Sequence, residues 1–139
     1  MQFNFDSGVK EYDLNGKCKV YFNPSDAAFT EKVSDALDRM QEASDKYGAV
    51  IQKETDLKKL FALARDLDGE LREQINGIFG QDVCTPVFGN MNVTAAADGL
   101  PVWVNLMLAI IDEINTAYSE AEKTVNPKIQ AYINKYKGK

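Results

Sequence analysis

Few residues in this chain of 139 residues have the type and spacing to do chemistry. Histidine is absent, which removes the commonest general base, the usual nucleophile-base triads and most transition-metal sites. Cys84 sits in a glycine- and proline-rich stretch and could serve as a nucleophile, but no histidine is available to activate it. Cys18 and Cys84 are far apart and form no C-x-x-C pair, so both are expected as reduced, packed thiols. The run Asp66-Leu67-Asp68-Gly69-Glu70 has the acidic alternation of a calcium loop. Aligning Asp66 and Asp68 with that loop's first and third positions, however, puts Leu71 where the turn glycine belongs. The run is expected as a solvated acidic face of a helix. Asp112 and Glu113 are adjacent and point to different helix faces. No phosphate-cradling loop, dinucleotide turn or serine elbow occurs. The expectation is a non-enzymatic protein with no catalytic residue, no cofactor and no metal.

Composition agrees with one ordinary globular unit. The chain is 45% apolar and 27% charged, outside the low-hydrophobicity regime of disorder, and its length predicts a single domain over residues 1–139. The formal net charge of −5 opposes the phosphate neutralisation that drives nucleic-acid affinity, so nucleic acid is not an expected partner. The N-terminus has neither a basic leader nor a continuous apolar run, and the expected location is the cytoplasm. The most apolar stretch, Leu100 to Ile111, lasts about a dozen residues and ends at Asp112-Glu113. A spanning helix needs ~20, so a membrane is not expected either.

The elements follow from periodicity, and the predicted class is α+β, mainly α: a β-hairpin region over 1–23 and a bundle of about four to five helices over 25–136. Asn15-Gly16 between two β-prone runs predicts the hairpin. A three-residue loop, Leu14-Asn15-Gly16, pairs Tyr12 with Cys18, Glu11 with Lys19 and Asp13 with Lys17, and puts Tyr12, Cys18, Val20 and Phe22 on one face. Phe3 and Phe5 alternate with polar residues and leave a third strand open. Ser25 or Asp26 caps a long amphipathic helix through Phe29, Val33, Leu37, Met40 and Tyr47 that extends to Val50 or Ile51. Thr55 or Asp56 caps a second, carrying Leu57, Leu60, Phe61, Ala64, Leu67, Leu71, Ile75 and Ile78, and the two form an antiparallel pair. Gly69 inside it marks either close packing or a local weakness. Turns with a short helical segment near Val83 to Phe88 follow. A core helix begins near Asp98, its front half central and its rear half superficial, with Trp103 expected in the core. Asn126-Pro127 ends it and opens a last helix.

That last helix carries the stripe Ile129, Tyr132, Ile133 and Tyr136, which docks either on its own domain or on a partner; these four are the candidate partner-binding residues. The lysines at 123, 128, 135, 137 and 139 are expected to solvate this end and complement its dipole.

Four groups of residues resemble a known family: Leu14-Asn15-Gly16; Phe22-Asn23-Pro24-Ser25-Asp26 with Phe29; Cys84 with Val87-Phe88-Gly89; and Asp98-Gly99-Leu100-Pro101-Val102-Trp103. In these the chain resembles small tail assembly chaperone-like proteins of phages and prophages of Gram-positive gut bacteria. The resemblance implies a non-enzymatic protein that keeps the long tape measure protein soluble, helps recruit tail tube protein around it, and is absent from the finished particle. It leaves homo-oligomerisation open. The alternative is a minor structural component of the particle, a connector or tail completion protein.

Overall fold

The computed structural model describes residues 1–136, with side chains described through Ala121. Asn15 (φ 55°) and Gly16 (φ 70°) both adopt left-handed backbone, the pairing a type I′ hairpin turn requires and Asn-Gly supplies. The turn closes with the Lys17 amide donating to the Leu14 carbonyl at 3.0 Å. It joins β1 (Lys10–Leu14) to β2 (Cys18–Phe22). The register corrects the predicted one: Glu11 faces Tyr21, Tyr12 faces Val20, Asp13 faces Lys19 and Leu14 faces Cys18. The loop has three residues, but they are Asn15, Gly16 and Lys17, because Lys17 stands outside the ladder as an extra residue. The displacement is two positions, so no side chain changes face, and Tyr12, Cys18, Val20 and Phe22 share the inner face as expected. On the outer face Glu11 accepts from the Tyr21 hydroxyl at 3.0 Å and lies 3.8 Å from the Lys19 ammonium.

No third strand forms from Phe3 and Phe5; the sheet has two strands. The chain turns at Gly8 (φ 75°), where an added Cβ would lie 2.5 Å from Asn23 Nδ2. Asn23 Nδ2 donates to the Ser7 carbonyl at 3.0 Å. This close approach ends the extended path before it can join the ladder.

Helix α1 (Ala27–Ile51) starts at Asp26, whose carboxylate accepts from the Ala28 amide at 2.9 Å, and α2 (Leu57–Phe79) starts at Asp56 in the same way. Gly80 in the left-handed region (φ 67°) caps α2, as helix C-termini favour. The two helices pack antiparallel through Val33, Ala36, Met40 and Ala43 of α1 and Leu67, Leu71, Ile75 and Ile78 of α2, all buried. An aromatic group binds the hairpin to both: the rings of Tyr12 and Phe22 stack at 4.3 Å, those of Phe22 and Phe29 at 4.1 Å, and Phe79 tilts against Phe22 and Phe29 at 6.1 and 6.2 Å. Gly69 meets nothing within 4 Å of a built Cβ, so its place in α2 is a weakness and not a packing device.

Beyond α2 come the short α3 (Cys84–Phe88), the two-residue strands β3 (Ala96–Ala97) and β4 (Leu100–Pro101), and α4 (Val102–Tyr136). Asp98 and Gly99 do not start the core helix as predicted. Both have positive φ, 55° and 77°, and make a second two-residue hairpin turn, pairing Ala97 with Leu100. Helix α4 therefore begins four residues later. It also runs through Asn126-Pro127, where the sequence predicts a break. A proline removes one helical donor at a cost of ~3 kcal/mol, and helix-favouring Ala121, Glu122 and Lys123 before it and Lys128, Gln130 and Ala131 after it carry the helix across. Trp103, Met107, Ile110 and Ile114 of α4 are buried in the same core as α1 and α2, and Ala117 further along α4 is buried as well. The architecture is α+β and mainly α, with a hairpin followed by four helices among the described residues. No helix of the described residues is long and apolar enough to cross a membrane.

Gly69→Ala is expected to raise the unfolding free energy by about 0.5–1 kcal/mol in urea denaturation, since Ala fits the helix and the space; a loss of stability would show that the site is crowded. Tyr12 gives a pH test. Its hydroxyl is shielded from solvent without a hydrogen-bond partner, and burial, then the Glu113 carboxylate, raise its pKa above the ordinary 10.0. A raised folded-state pKa favours folding below the unfolded value and withdraws that support as pH climbs through the folded one. Tyr12→Phe is expected to be at least as stable as the native protein at neutral pH, because it removes a buried hydroxyl that has no partner, and to widen that advantage above pH 10.0; equal alkaline loss in both would contradict this.

Candidate functional site

Helix α2 carries four residues at intervals of four, Ala64, Asp68, Arg72 and Asn76, that fall on one face and hold the connection between α2 and α4. Arg72 Nε donates to Asp68 Oδ1 at 3.2 Å and lies 3.1 Å from Oδ2, and Arg72 Nη2 donates to the carbonyls of Gly89 at 2.8 Å and Met91 at 2.7 Å. Asp68 Oδ1 also accepts from the Val93 amide at 2.7 Å. Asn76 Oδ1 accepts from the amides of Val83 at 2.9 Å and Cys84 at 3.1 Å, while its Nδ2 donates to Asp82. Asn92 Nδ2 donates to the Ala64 carbonyl at 3.0 Å. Hydrogen bonds from the side chain and backbone of Thr85 hold the Asp82 carboxyl below its usual range. The chain so fixed then starts α4, the amides of Trp103 and Val102 donating to the carbonyls of Val93 at 3.1 Å and Ala95 at 2.8 Å.

Fixing the connection creates a cleft. It is lined by Val87 and Phe88 of α3, by Met91, by Val102, Leu106 and Ala109 of α4, and by Leu14 and Asn15 of the hairpin tip. Its volume is about 450 Å³, within the size range of binding pockets. Asp13, Lys17 and Asn105 are the polar rim, and Asn105 is held by donating to the Ala97 carbonyl at 2.9 Å. The front half of α4 is therefore apolar for two reasons. Trp103, Met107 and Ile110 fill the core as expected, whereas Val102, Leu106 and Ala109 face the cleft.

The groups singled out for chemistry are not drawn together. Cys84 is buried, burial pushes its thiol up to about 11, and its Sγ lies 3.7 Å from the Arg72 carbonyl oxygen. Cys18 is half-buried beside Gln81, and both cysteines are free. Of the acidic run, Glu70 accepts from the Tyr47 hydroxyl at 3.1 Å, while Asp68, expected as a solvated carboxylate, is the acceptor that secures Val93. Among the described residues no three metal-ligating side chains cluster. The candidate stripe Ile129, Tyr132, Ile133 and Tyr136 lies outside the residues whose side chains are described. The cleft itself escaped sequence reading because its lining comes from four separated segments; the one available signal was the apolar run from Leu100 to Ile111, most of which lies on α4.

Fold and site together define a small α+β protein whose distinctive surface is an apolar cleft. No family model matches the chain, and neither a curated protein nor a solved structure matches it.

Brief alkylation of the native protein at mildly alkaline pH is expected to modify Cys18 and spare Cys84, with both reacting in denaturant; comparable native labelling of Cys84 would mean that the 82–94 connection opens freely.

Proposed function

We propose that this protein is a non-enzymatic phage tail assembly chaperone whose cleft receives an apolar helical segment of the tape measure protein and keeps it soluble while tail tube protein assembles. One observation carries the reading. Three of the four groups of residues that bear the resemblance, Leu14-Asn15, Val87-Phe88 and Val102, are remote in sequence and meet as lining of the same cleft. Their shared location gives them a common role beyond local folding, and an apolar cavity with a polar rim suits a helix presenting a few large side chains at i, i+3, i+4 and i+7. The chemistry of the fold supports the same reading, since Asp68, Arg72, Asn76 and Asp82 are engaged in holding the backbone.

Ala109→Glu puts a charge at an exposed position of the cleft wall. It is expected to weaken capture of a co-expressed tape measure fragment about tenfold or more, with the thermal melt unchanged. Capture at native strength would reject the cleft as the binding site. Mass spectrometry of purified particles is expected to find the protein missing; stoichiometric presence would instead favour a minor structural role.

A further inference from the structure

We draw no further inference here: the strongest candidate, the exposed apolar surface patch that Phe3 and Phe5 make on the N-terminal arm ahead of the hairpin, is an unpartnered face, and nothing in the structure shows what covers it.

Discussion

The Asp68–Arg72 pair is the interaction on which the second half of the molecule depends. Helices α1 and α2 can bury their apolar stripes against each other without it. The chain from Gly80 to Pro101 has only two short strands and one short helix, so its backbone groups need partners from elsewhere. Arg72 takes two carbonyls and Asp68 takes one amide, and their mutual contact is partly withdrawn from solvent, with 18% and 21% of the side chains exposed. Hydrogen bonds that involve a charged group contribute about 1.5–3 kcal/mol each, more than an exposed ion pair would. The cleft walls on α3 and at Met91 are held where the pair puts them, and Val93 passes the constraint to the start of α4.

How much of this could be read in the sequence depended on whether the signal was local. The α1–α2 pair and the inner face of the hairpin follow from spacing within a few residues and were legible; the caps were narrowed to Ser25 or Asp26 and Thr55 or Asp56, of which the structure selects Asp26 and Asp56. The register of the hairpin was not, because alternation fixes a face but not a shift of two; the left-handed backbone of Asn15 and Gly16 and the extra Lys17 decided it. Asp98-Gly99 carried the same kind of turn signal as Asn15-Gly16. Its flanking strands are two residues long, too short to alternate, and the apolar run after it read as a helix from its first residue.

The role of Asp68 was hidden for a different reason. Its spacing to Arg72 is that of an ordinary helix-surface pair, and nothing local tells a pair that faces water from one that holds a loop 20 residues further along. The cleft shares this property. Leu14, Phe88, Met91 and Leu106 are unremarkable in sequence, each explicable as core, and only their convergence leaves a cavity between them. Apolar excess on the front of α4 is thus divided between a face that folds the protein and a face available for binding.

If the pair is what shapes the cleft, loosening it from the Arg72 side should free the connection without disturbing the helical pair. Native-state hydrogen exchange of Arg72→Met measures this directly, because Arg72 bonds neither of the two diagnostic amides, Val93 and Trp103. The account predicts exchange about tenfold to a hundredfold faster at both, with the amides of Met40 and Leu71 protected as in the native protein. Unchanged protection at Val93 and Trp103 would contradict it.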